Sequence, residues 1–274
     1  MGFTGKVPGL KTPNLDRIAN EGAHFQNAFV STALCSPSRA SILTGQYAHT
    51  HTVVDNQAAA PSSLIYFPQY LQKAGYQTSF FGKWHMGGGG ADPRPGFNRW
   101  VSFAGQGDYY NPKLNVDGKM INYTDSSYVT DILTNYTLEW LDKRDKTKPF
   151  FVYLSHKAVH ADFYPAKRDK GKYKDIRIQY PVSMFSTAGK DSKRFNRGDQ
   201  ADSSAYIFNY KDIPQWVRAQ RYSWHGVDFM YHGQTDFDKF YVDYLETLMG
   251  VDNSVGRVLD YLKSSGLDKE TLII

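Results

Sequence analysis

Four times along this chain a helix is followed within a few residues by a stretch that reads as a strand, and that recurrence restricts the fold more than any other feature. Pro68 opens a helix that passes Leu71 and stops at Gly75, and Gln77 to Phe81 follows as a strand. A helix over about 126–143 places Val129, Leu133, Tyr136 and Trp140 along one stripe, and residues 150–155 (FFVYLS) follow as a buried strand. A long helix over about 238–265 stops at Gly266, and residues 271–274 (TLII) begin another strand. Strands that alternate with helices predict an α/β fold, with a mostly parallel central sheet flanked by helices.

Shorter elements fill in the N-terminal part. Thr12-Pro13-Asn14-Leu15-Asp16 opens a helix, with Thr12 as its cap, Pro13 in the first turn and Asp16 at the positive dipole end. Gly22 ends it, residues 23–30 (AHFQNAFV) read as a strand, and residues 37–44 read as a short helix stopped by Gly45. Two regions break the pattern. Residues 86–124 are rich in Gly, Pro and Asn, and residues 161–235 are polar and irregular. Loops of that length in a compact domain are functional or disordered, so 161–235 is expected to be an insert or a set of substrate loops.

The chain has 274 residues, 41% of them hydrophobic, which is enough to bury a sizeable core. No apolar run reaches the roughly 20 residues that span a bilayer, and the first residues show no apolar segment of a signal peptide. A formal charge of +5 suits an anionic substrate, although many proteins carry as much without using it. Nothing in the sequence indicates a nucleic-acid partner. The single cysteine, Cys35, excludes an internal disulfide and leaves two readings, an inert core residue or a reactive one.

Its neighbours decide between them. Cys35-Ser36-Pro37-Ser38-Arg39 leads into Ala40-Ser41-Ile42-Leu43-Thr44-Gly45. With a helix starting at Pro37, position 35 sits at a positive helix end among unpaired backbone N–H groups, where anions bind and thiol pKa values fall. Arg39, one turn on, can bond an oxyanion. This segment resembles the maturation signature of the type I, formylglycine-dependent sulfatases of the alkaline phosphatase superfamily. The resemblance implies that a separate formylglycine-generating enzyme oxidises Cys35 to Cα-formylglycine. The aldehyde hydrate would attack sulfur through one hydroxyl, and the second hydroxyl would then expel the covalent sulfate.

Gly82-Lys83-Trp84-His85 places Lys83 and His85 on one face of an extended segment. From the residues alone this is either a solvated strand end or a cation and a titratable ring set beside an anion. With Gly75-Tyr76-Gln77-Thr78 before it, the stretch looks like the second sulfatase signature, which implies that Lys83 and His85 contact sulfate and formylglycine. Ser155-His156-Lys157-Ala158-Val159-His160 follows the strand 150–155, where α/β sheets place ligands. Here the resemblance implies that His160 binds the ester oxygen and protonates the leaving group. His156 is the lesser substrate-binding candidate, or else structural. His49 and His51 are read as structural or substrate-lining, and His24, His225 and His232 show no pattern. The sequons at Asn122 and Asn135 carry little weight.

The resemblance also implies a Ca²⁺ ion held by formylglycine at position 35 and by four oxygen-bearing residues that nothing in this chain matches, two upstream and two downstream. The expectation is therefore that residues 1–274 form a partial sulfatase catalytic domain, one that lacks the N-terminal metal-binding strand and the C-terminal part. Phe97-Asn98-Arg99-Trp100 and Leu114-Asn115-Val116-Asp117-Gly118 look most like bacterial N-acetylglucosamine-6-sulfatases. That points to a sulfated carbohydrate as substrate, to glycan degradation, and to a periplasmic or secreted location. Two alternatives stay open: a phosphoester or phosphonate hydrolase of the same superfamily, and a non-catalytic relative that binds sulfated glycans through Arg39, Lys83 and His160.

Overall fold

A computed structural model describes residues 1–87, 90–179 and 237–274. Along the chain run α1 (Pro13–Glu21), α2 (Cys35–Thr44), α3 (Ala48–His51), α4 (Phe67–Lys73) and β1 (Gln77–Lys83). They are followed by β2 (Arg99–Phe103), β3 (Lys113–Val116), β4 (Lys119–Asn122), α5 (Val129–Lys143), β5 (Phe150–Ser155) and α6 (Phe237–Ser264). Among the described residues the strands form one sheet in the order β4-β3-β2-β1-β5. β1 pairs in parallel with both β2 and β5, while β3 and β4 add an antiparallel hairpin. The expected α/β architecture is present, with its parallel part confined to β2-β1-β5.

β1 is central, and every residue from Thr78 to Lys83 is buried. Successive side chains point to opposite faces, so neighbouring phenylalanines serve two cores. Phe80 joins Ala40, Leu43, Tyr66, Trp84 and Trp100 on the face covered by α2 and α4. Phe81 joins Val101, Phe103, Leu114, Val129 and Leu133 on the face covered by α5. The strand also runs very close to β5. Gly82 has φ +123°, and a Cβ there would lie 1.8 Å from the Ser155 carbonyl oxygen, so no other residue fits.

Several expectations are corrected. β2, β3 and β4 lie inside the stretch 86–124 that reads as irregular, because its Gly, Pro and Asn residues serve the turns between strands. Asp117, at φ +50°, and Gly118 make the β3–β4 turn. Residues 23–30 and 271–274 form no strand, since neither segment has a neighbouring strand to pair with among the described residues. Phe25 and Phe29 are accordingly 79% and 91% exposed. α5 starts at Val129 and not Ser126, because Asp125 and Ser126 sit at φ +60° and +61°, outside helical geometry. Thr12 does not cap α1. Its hydroxyl accepts the Gly2 N–H and donates to Asp16. The cap comes instead from Asp252 on α6, whose carboxylate accepts the N–H groups of Asn14 and Leu15 at 3.0 and 2.9 Å. Most of the stretch 161–235 lies outside the described residues.

Candidate active site

Cys35 is the first residue of α2, two positions earlier than the sequence suggests. That start changes which groups are offered to an anion. Pro37 has no N–H, and the Ser36 N–H donates to Asn56 Oδ1 at 2.9 Å. The helix end therefore presents little free backbone, and the positive field around Cys35 comes chiefly from side chains.

Lys83 closes β1 at 2% exposure with its ammonium 3.7 Å from Cys35 Sγ. Burial pushes its pKa down to about 8, with Cys35 opposing the shift and Arg39 adding to it. Lys83 also donates to Gln106 Oε1, in the loop after β2. Arg39 lies one turn along α2 and donates through Nη1 to the Lys83 carbonyl at 2.5 Å and to Ser155 Oγ at 2.8 Å. This clamps the guanidinium across the C-terminal ends of β1 and β5. Burial lowers its pKa from a high starting value, and Tyr153 and Cys35 oppose the shift.

His85 follows at φ +47°, and Ser36 Oγ donates to its carbonyl at 2.6 Å, tying it to the start of α2. Its Nδ1 is buried without a hydrogen-bond partner among the described residues. Burial, helped by the charges of Lys83, Arg39 and His160, pushes the ring down to about 4, so His85 is neutral at physiological pH. His160, in the loop after β5, joins this group electrostatically. Its Nδ1 is 2.7 Å from the Ala161 carbonyl, an acceptor only, so the neutral ring carries its proton on Nδ1.

The structure thus brings Cys35, Arg39, Lys83, His85 and His160 to the C-terminal ends of β1 and β5. It turns His156 the other way. His156 Nε2 is 2.9 Å from Ser254 Oγ on α6, which is 2.6 Å from Thr134 Oγ1 on α5. His156 thus joins the loop after β5 to α6 and α5. His51 is buried at 0% exposure. It accepts the Val53 N–H at Nδ1, so its Nε2 carries the proton, 3.0 Å from Ser41 Oγ. It cannot act as a base toward that serine. His49 stacks on Tyr47.

Sequence reasoning missed three residues. Gln106 accepts Lys83 on its side chain and Lys157 Nζ, at 3.2 Å, on its carbonyl. Lys157 lies 4.7 Å above the Tyr109 ring. Burial lowers its pKa, and Asp108 and Asp162 oppose the shift. Lys157 sits inside the stretch Ser155–His160, but Gln106 and Tyr109 come from a loop whose preceding strand the sequence did not reveal. A cleft of about 310 Å³ opens beside Cys35, walled by Leu34, Ile42 and Tyr153 with Arg39 and Ser155.

No group of three or more His, Cys, Asp or Glu suited to a metal occurs among the described residues. The side chains at Cys35 are cationic donors, whereas Ca²⁺ requires oxygen ligands. The described residues alone do not fit the expected ion. No helix among them is long and apolar enough to cross a membrane.

The sequence pattern of the sulfatase family matches residues 1–274. The N-acetylglucosamine-6-O-sulfatase of Bacteroides thetaiotaomicron is 33% identical over 300 residues, covering 97% of this chain and 53% of that protein. A solved structure of a protein in complex with its substrate D-glucosamine-2-N,6-O-disulfate superposes with TM-score 0.72 at 32% identity, covering 98% of this chain and 60% of that one. The phosphonate monoester hydrolase of Agrobacterium radiobacter shares the fold, with TM-score 0.60 at 21% identity over 98% of this chain and 57% of its own. The chain spans just over half the length of the first of these relatives.

Proposed function

The chain belongs to the sulfatase family, and from that premise we propose that it hydrolyses the sulfate ester of a sulfated carbohydrate, with the residue at position 35 as nucleophile. The observation that carries this reading is the 3.7 Å approach of Lys83 Nζ to Cys35 Sγ at the start of α2, inside a cluster of cations. A thiol placed only for packing needs no buried ammonium beside it.

Conversion of Cys35 to formylglycine by a maturation enzyme would supply, in its hydrate, one hydroxyl to attack sulfur and a second to release sulfate. The chain's own residues bind and orient. Lys83 and Arg39 set positive charge where the sulfate oxygens gather, and their burial makes each contact stronger than it would be in water. His85 is a neutral ring that can take and return a proton beside position 35. His160, in the loop after β5 and acting electrostatically on His85, would protonate the departing alcohol. The described residues supply too few oxygen ligands to hold Ca²⁺ by themselves.

The glucosamine sulfates named for the relatives support a 6-sulfated glucosamine unit as the substrate here. Residues 1–274 would then act as a catalytic domain or part of one. The location expected for such an enzyme is the periplasm or the cell exterior. The phosphonate hydrolase shares only the fold, so it does not favour phosphorus chemistry.

Co-expression with a formylglycine-generating enzyme, followed by the mass of the Cys35 peptide, tests the first step. Conversion lowers the mass by about 18 Da, the difference between thiol and aldehyde. Sulfate release from glucosamine-6-sulfate, with no release from a phosphodiester in parallel, is the expected second result. Conversion without turnover, but with retained sugar binding, would replace the enzyme reading with that of a glycan-binding relative.

A further inference from the structure

Tyr109 lies in the segment between β2 and β3 and is 3% exposed. Its hydroxyl engages one residue twice. It donates to the His160 carbonyl oxygen at 2.8 Å and accepts the His160 N–H at 3.1 Å. One phenolic oxygen therefore satisfies both backbone groups of His160, and so restrains the peptide planes on either side of it.

The tyrosine is itself well held. Its carbonyl accepts the Val129 N–H at 2.8 Å, and its ring stacks against Tyr128 with centroids 6.1 Å apart. Burial raises its pKa, partly offset by the bond to the His160 backbone, so the hydroxyl remains a donor at any working pH. The same ring carries the Lys157 ammonium on its face at 4.7 Å. A core tyrosine needs a partner for its hydroxyl, but one partner atom would serve. Two bonds to the same loop residue, with a lysine of that loop on the ring, go beyond what packing requires.

We infer that Tyr109 is a positioning residue, holding His160 where it acts electrostatically on His85 and Lys157 where it acts on Lys83. This inference rests on the functional reading above. Tyr109→Phe keeps the ring, and with it the core packing and the Lys157 contact, while removing both bonds to His160.

Two measurements on the whole chain test it. In hydrogen–deuterium exchange, Tyr109→Phe is expected to speed exchange over 158–162 and to leave β1 unchanged. Calorimetric titration with glucosamine-6-sulfate is then compared for wild type, Tyr109→Phe, His160→Ala and the double variant. Tyr109→Phe is expected to weaken binding about tenfold alone, and by less than about twofold once His160 is gone, because the hydroxyl acts through His160. Equal losses in both backgrounds, or unchanged exchange over 158–162, would overturn the inference. If the wild type does not bind the sugar, the functional reading fails, and the exchange result alone decides whether Tyr109 holds His160.

Discussion

Lys83 combines three properties that are costly to place together: a charge, near-complete burial and proximity to another cation, Arg39. An anion bound beside Cys35 would offset all three. Lys83→Met is therefore expected to reduce turnover of a sulfate ester by about 10²–10³-fold, the range for loss of one preorganised charge donor, with Cys35 still converted by mass. His156 gives a second expectation, in stability. Burial pushes its ring down to about 4, with Asp131 opposing, while the unfolded ring titrates near 6.5. The unfolded state then binds the extra proton, so stability is full above about pH 6.5 and declines as pH falls toward 4. This one group accounts for about 2 kcal/mol between pH 7 and 5. His156→Gln should flatten that part of a urea-denaturation series, and a slope equal to wild type would count against the assignment. Cys35, Lys83 and His85 were legible because each lies in a contiguous, ordered motif. Gln106 and Tyr109 were not, because their roles arise only when a distant loop folds against β5.

At the scale of elements, two contacts hold the layers in register. Gly82 lets β1 pass the Ser155 carbonyl, and a methyl group there would force the strands apart at the very end that carries Lys83. Gly82→Ala is expected to destabilise the fold by about 4 kcal/mol or more, the range for steric strain at a special backbone site, read as a drop in denaturation midpoint. Asp252 caps α1 from α6, so Asp252→Ala should cost about 1–2 kcal/mol and loosen α1 while the sheet is unchanged. Asp252→Asn should recover part of that loss. Apolar patterning and stop signals revealed α1, α2, α4, α5, α6 and the apolar runs of β1 and β5, but not the short α3. They did not reveal β2 to β4, whose short lengths are hidden between turn residues, nor the cap on α1, where the nearest plausible side chain, Thr12, was already committed to Gly2 and Asp16.

Across the molecule, protection from solvent falls outward from β1. Among the described residues, β4 lies at one margin of the sheet with all four residues exposed, and β5 at the other with most of its residues half-buried. Hydrogen exchange should be slowest over residues 78–83, intermediate over 150–155 and fastest over 119–122. Slow exchange at β4 would mean that it is covered in solution. The aromatic core on the α2 side has a consequence of another kind. Trp84 stands between Lys83 and His85 in sequence, and its indole packs 5.4 Å from that of Trp100, with both rings 2% exposed. Two indoles that close share their ultraviolet transitions, so the protein carries a built-in chromophore pair in the segment that bears Lys83 and His85. A small rotation of the Lys83–His85 segment on ligand binding would change near-ultraviolet circular dichroism and tryptophan emission without any added dye.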